Sequence, residues 1–275
     1  MADLLAHAER CGCPLDLVFG VYRGGQLVDA TAVVESPGGA GLVLVPTQPG
    51  GESRARAVSV ALDAVVRAAW QRSAKLLQFL SDPESTDLSL VLERTGFRCI
   101  TRLLYLIRPD AGRSAGIRAA RNPDWVQYSP AHHGLFEQAL ELSYAGSLDC
   151  PELAGLRSAA DVLAGHRAAG VFDPSLWRVA MQGPSPVGIL LLNRLPGRPA
   201  LEIVYTGVAQ ASRGTGVADA LLHHAVTLAR INRARILALA VDCRNTPARR
   251  VYARWGFTQV MARDAWVASP CWTGS

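Results

Sequence analysis

The chain of 275 residues has no apolar run near the ~20 residues that a membrane-crossing helix needs, so no span is expected. It has no C-x-x-C pair. Its six cysteines (Cys11, Cys13, Cys99, Cys150, Cys243 and Cys271) are scattered, which fits unpaired thiols in a reducing cytosol and a cytoplasmic protein. The first residues lack a basic segment followed by a long apolar one, so no signal peptide is expected. Charge is sparse, 19% against 49% hydrophobic residues, which argues against disorder and allows a large core. The net charge of +5 comes almost wholly from arginine. That balance suits an anionic small ligand and is too mild for a nucleic-acid partner. His132-His133 and His223-His224 offer no third ligand beyond Glu137, so no metal is expected.

What is present is a glycine turn between a strand and a helix. Leu201 to Val208 reads as a strand, and Val217 to Ile231 reads as a helix. Between them lies Gln210-Ala211-Ser212-Arg213-Gly214-Thr215-Gly216. Bare amides at such a turn, together with the positive end of a helix, make an anion site. No lysine follows the glycines, which excludes a Walker loop. Asp219 stands where a dinucleotide fingerprint needs a small residue. Arg213, Gly216 and Ala218 fill a third pattern, R-x-x-G-x-A.

About thirty residues on comes a second motif. Ile236 to Val241 reads as a buried strand. Thr246 is the expected N-cap of the next helix, with Pro247 at its first position. Ala248, Val251, Tyr252 and Trp255 share one helix face, with Arg249, Arg250 and Arg254 solvated, and Gly256 stops the helix. The string Asn245-x-x-Ala248-x-x-Val251-Tyr252-x-x-Trp255-Gly256-Phe257 and the Arg213–Ala218 loop together resemble the GNAT superfamily of N-acetyltransferases.

The sequence also repeats. Leu76–Cys99 aligns without a gap on Ile236–Gln259, 160 residues later. Ser85 and Leu92 stand opposite Asn245 and Tyr252, and Ser53, Arg54 and Arg56 stand opposite Arg213, Gly214 and Gly216. The expected fold is α/β with an α+β mixed sheet, in two tandem GNAT-like domains, the N-terminal one degenerate and shortened. The expected division is residues 1–109, a linker 110–123 rich in Gly, Ser, Ala and Arg, and a catalytic domain 124–275. In the latter, helices are expected at His133–Tyr144 and Ala154–Ala169.

The resemblance implies transfer of an acetyl group from acetyl-CoA, a cosubstrate, to a primary amine on a small molecule or peptide, by direct attack. It implies that Arg213, Gly214, Thr215, Gly216, Val217 and Ala218 hold the pyrophosphate, chiefly by main-chain amides. The Arg213 side chain either adds a charged contact or is solvated. Val208, Ala209 and Gln210 would follow the pantetheine arm, with the Val208 N–H as oxyanion donor. Asn245 and Ala248 would also contact the coenzyme. Tyr252 is the expected proton donor to sulfur. Glu202 is the expected base, placed by a period of two on one strand face with Val204, Thr206 and Val208. Asp242 is an alternative base, but Asp82 repeats it, which suggests capping. A different reading is a non-catalytic acyl-CoA sensor.

Overall fold

A computed structural model describes residues 17–45, 51–83, 86–111 and 123–272. Its strands are β1 Leu17–Arg23, β2 Gln26–Ser36, β3 Ala40–Leu44, β4 Leu76–Ser81, β5 Arg98–Pro109, β6 Asp124–Gln127, β7 Trp177–Gln182, β8 Ser185–Arg194, β9 Ala200–Val208, β10 Ile236–Asp242 and β11 Thr258–Ala268. Its helices are α1 Gly51–Gln71, α2 Thr86–Arg94, α3 His133–Tyr144, α4 Ala159–Ala168, α5 Val217–Ile231 and α6 Thr246–Arg254.

The chain forms two compact units. The first comprises Met1–Arg102, Gly155–Arg157 and Arg263–Ser275; the second comprises Leu103–Ala154 and Ser158–Ala262. These bounds differ from the expected 109/124 division. They fall inside β5 and β11, because a strand's residues take their contacts from whatever flanks each stretch of it. Most of the expected linker, 112–122, lies outside the described residues.

In the first unit, β1 and β2 form an antiparallel hairpin, β3 continues it, and β4 runs parallel to β3. Residues Asp264–Ala268 of β11 pair antiparallel with β4. Leu62, Leu77, Leu92 and Phe97 pack in its core.

The second unit is a mixed sheet in the order β5, β10, β9, β8, β7, β6. Only β10 and β9 are parallel neighbours. Both faces are covered. Leu190 and Leu192 of β8 pack with α5 and α6 residues, while Ile189 and Leu191 pack with α3 and α4 residues. That alternation explains why β8 reads as a continuous apolar run. The helix expected from Ala154 begins at Ala159 instead. Ser158 and Asp161 form a reciprocal capping box there, a start signal that outweighs the apolar residues before it.

The repeat holds element by element. The starts of β1, β3, β4, α2 and β5 recur 160 residues later as those of β7, β9, β10, α6 and β11. Among the described residues, the first unit has no counterpart of β6, α3 or α4. Arg54 and Arg56, opposite Gly214 and Gly216, lie within α1, so helix occupies the place of the glycine turn.

Candidate functional site

The site begins where two parallel strands part. β10 pairs with β9 from Ile236↔Ala200 to Leu239↔Ile203 and no further. A bulge follows: Leu191 of β8 faces Tyr205 while Leu192 faces Ile203, leaving Val204 as the extra residue. A bulge adds twist and ends regular pairing. Beyond it the Ala209 N–H bonds Val187 O at 3.0 Å. Alternate peptide groups in an antiparallel ladder point to opposite edges, so the Val208 N–H faces the open side.

A cavity of about 490 Å³ occupies this gap. Thr206, Gly207 and Val208 form one wall, and Asn245, Ala248 and Tyr252 form another. Gly207 is required by contact rather than by conformation: a Cβ there would lie 2.6 Å from the Ser143 hydroxyl of α3. That hydroxyl is itself 2.7 Å from the Tyr205 hydroxyl.

The glycine turn closes one end of the cavity. Gly214 and Gly216 have φ of 75° and 89°, a region that L side chains avoid. Ala220 is the first residue of α5 whose N–H closes a helical bond, to Gly216 O, so Val217, Ala218 and Asp219 carry the helix's open donors. Gly214, Gly216 and Ala218 line the cavity. Val217 buries its side chain in the core, and the Thr215 hydroxyl donates to Ser212 O at 2.7 Å. Ala209 is buried, and Gln210 is exposed on a short 3-10 turn outside the cavity lining.

Arg213 is exposed, but its guanidinium is engaged by main-chain carbonyls. It donates to Ser143 O (2.9 Å), Ala145 O (2.7 Å) and Gly146 O (2.8 Å), with a longer bond to Val208 O (3.3 Å). A cation on the last carbonyls of α3 satisfies orphan acceptors and opposes the negative helix end. Arg213→Ala is expected to lower stability by about 1 kcal/mol, read as a lower Tm. Its effect on any acetyl-CoA affinity is expected to stay below about tenfold, because the donors open to an anion at this turn are main-chain amides rather than this side chain.

α6 carries the second motif. Its N-cap is Asn245, not Thr246: the Asn245 side chain accepts from the Ala248 N–H at 3.3 Å, and Pro247 follows in the first turn. The same side chain hydrogen-bonds Asp149. Tyr252 is 8% exposed and packs edge-on against Phe257. Burial, and then the charge of Asp149, pushes its phenol well above the usual range, so it is protonated at neutral pH. Arg254, expected to be solvated, pairs with Asp219 at 2.7 Å.

The segment between α3 and α4 supplies a residue the sequence gave little reason to single out. Asp149 lines the cavity, and its Oδ1 accepts the Asp242 N–H at 2.9 Å. In return, Asp242 accepts the Cys150 N–H at 3.1 Å. Asp242 is fully buried and paired with Arg244, which also holds Glu152 at 2.7 Å. Asp242 is thus an anchor for this loop. Asp149 keeps accessible surface toward the cavity, yet the protein around it desolvates its carboxyl. That raises its pKa against the opposing pull of the Asp242 N–H.

Glu202 does not reach the cavity wall. The extra residue at Val204 breaks the period of two. Val204 and Tyr205 both pack toward α3 and α4, whereas Leu201, Ile203 and Val208 pack toward α5 and α6. Glu202 and Val208 therefore lie on opposite faces. Glu202 is partly buried, and desolvation raises its carboxyl pKa.

Residues 149–257 match the model of the acetyltransferase (GNAT) family. Over those residues the chain is similar to a GNAT domain. No curated protein matches it. Among solved structures, a GCN5-related N-acetyltransferase from Sphaerobacter thermophilus is similar at 20% identity and TM-score 0.60, covering 98% of this chain and 85% of that one. A GCN5-related N-acetyltransferase from Kribbella flavida is similar at 13% identity and TM-score 0.57, covering 98% and 96%. A tandem GNAT protein from the clavulanic acid biosynthesis pathway gives 15% identity and TM-score 0.54, covering 96% and 86%. At these identities the likeness is one of fold, and it extends over nearly the whole chain. The GNAT match supports acyl-CoA-dependent acyl transfer as the general activity. Among the described residues, no helix is long and apolar enough to cross a membrane, and no cluster of three His, Cys, Asp or Glu side chains could hold a metal.

Proposed function

We propose that the second unit transfers an acetyl or other short acyl group from coenzyme A to a primary amine by direct attack. One observation carries this reading: a single cavity is bounded both by the open-amide turn at α5 and by the buried Tyr252 hydroxyl, in the gap between β9 and β10. The residues suit the cosubstrate. Amides at Gly214–Asp219 offer donors to a diphosphate, and an unpaired strand edge at Thr206–Val208 offers partners to the amides of an extended arm.

The Val208 N–H, free of β10, would stabilise charge on the thioester carbonyl oxygen during attack. The Tyr252 hydroxyl would donate to the departing sulfur. Removal of water by the apolar walls strengthens both contacts. The acceptor is a small-molecule or peptide amine.

Thermal melting in the presence of acetyl-CoA tests the binding half directly. At ~100 times Kd the ligand should add about 2.7 kcal/mol, or roughly 5–10 °C in Tm. Tm values that do not move with coenzyme A, acetyl-CoA or longer acyl thioesters would remove the reading.

A further inference from the structure

We propose that Asp149 receives the acceptor: its carboxylate binds the ammonium group of a cationic primary amine and then takes its proton. This rests on the acyl-transfer reading above and names the amine class and the base for it.

Five observations carry it. Asp149 lies on the wall of the same cavity as Tyr252, Tyr205 and Val208. Its position is fixed at both ends, by the Asp242 N–H on Oδ1 and by the Asn245 side chain at the start of α6. Cys150, held in the left-handed region at φ 47°, keeps the turn that presents it. Arg244 makes its direct ion pairs with Asp242 and Glu152 and acts on Asp149 only through space, as the weakest of the influences on that carboxyl. A partly desolvated carboxylate whose nearest cation is committed to other acids attracts an ammonium ion. The charge of Asp149 is also felt by the hydroxyls of both Tyr252 and Tyr205, which places it on the same space as the proposed proton donor.

The chemistry balances. The carboxylate takes one proton from the ammonium and passes it to water. The freed nitrogen lone pair forms the C–N bond to the thioester carbonyl carbon. The nitrogen of the adduct gives a second proton to Asp149 as the C–S bond breaks, and sulfur takes the Tyr252 proton. Tyr252 then recovers a proton from Asp149. The sum is ammonium plus thioester giving amide, thiol and one proton. Neutralising Asp149 removes the charge that holds the Tyr252 proton in place, so the two transfers assist each other.

Sign follows from the direction of the shift. The base must be ionised, and its pKa is raised, so activity should fall as pH drops through that raised value. The groups facing Asp149 are Asp242 of β10, Arg244 and Asn245 after it, Tyr252 of α6, Tyr205 of β9, and its neighbours Cys150 and Glu152.

The test uses the full chain, acetyl-CoA and a panel of alkyl diamines, amino sugars and amino-acid esters, each beside its hydroxyl isostere, with thiol release as readout. Asp149→Asn keeps an oxygen acceptor for the Asp242 N–H, so the loop stays pinned, and an unchanged Tm checks this. The expected result is turnover of cationic amines only, with kcat/KM lowered about 10²-fold in Asp149→Asn, the acid limb of its pH profile lost, and partial recovery in Asp149→Glu. Acetyl-CoA affinity should stay within about twofold. Three results would each overturn the inference alone: Asp149→Asn within fivefold of wild type, a loss confined to Glu202→Gln, or a wild type that binds acetyl-CoA but acetylates none of the amines. Failure to bind acetyl-CoA would instead remove the reading beneath it.

Discussion

Tyr252→Phe should lower kcat by about 10³-fold and leave acetyl-CoA affinity within about twofold. The substitution removes one oxygen from a ring that is 8% exposed, and the edge-on contact with Phe257 survives it. Stability should therefore change by no more than about 1 kcal/mol. The phenol is held protonated by burial and by Asp149, so it is a hydrogen-bond donor over the whole neutral range. A thiolate leaving from coenzyme A has a free pKa near ~8.5, and without a donor it departs as an anion into an apolar wall. Parallel measurement of kcat and of acetyl-CoA Kd by calorimetry separates the roles. Equal losses in both would make Tyr252 part of the packing, and no loss in either would remove it from the chemistry.

The second large effect is expected at Gly216. Gly216→Val should weaken acetyl-CoA binding by at least about 10²-fold and lower stability by about 1–3 kcal/mol. The residue is the N-cap of α5 and sits at φ 89°, ψ 0°. A β-branched side chain resists that region, so the turn must relax, and the open amides of Val217, Ala218 and Asp219 move with it. Asn tolerates positive φ better than other side chains, so Gly216→Asn should recover much of the stability and part of the affinity. Calorimetry on both variants gives the comparison. Unchanged affinity in Gly216→Val would mean that the anion is held elsewhere.

Most of this molecule could be read from local patterns. The apolar runs became strands, the span of α5 is the one the periodicity gives, and the 160-residue repeat aligns the starts of β4, α2 and β5 with those of β10, α6 and β11. Those signals are local, or they compare one stretch of chain with another. Three features escaped because each depends on a partner far away in sequence. The Arg213 guanidinium is committed to carbonyls 67–70 residues before it. Asp149 meets Asp242 across 93 residues. The extra residue at Val204 is defined only against β8, yet it decides which face Glu202 occupies. The Asn245 cap is different, since Asn is as good a cap as Thr and the choice between adjacent candidates is not fixed by composition.

The pairing of β10 with Leu103–Pro109 has a further consequence. Those seven residues lie upstream of everything that forms the cavity, at the end of the copy whose glycine turn is replaced by helix. Deleting that copy from the gene would strip one edge of β10 and leave a bare strand beside the cavity. The segment Leu103–Pro109 thus guards an edge of the strand that borders the cavity, although helix stands in place of the anion-site glycine turn in the stretch before it.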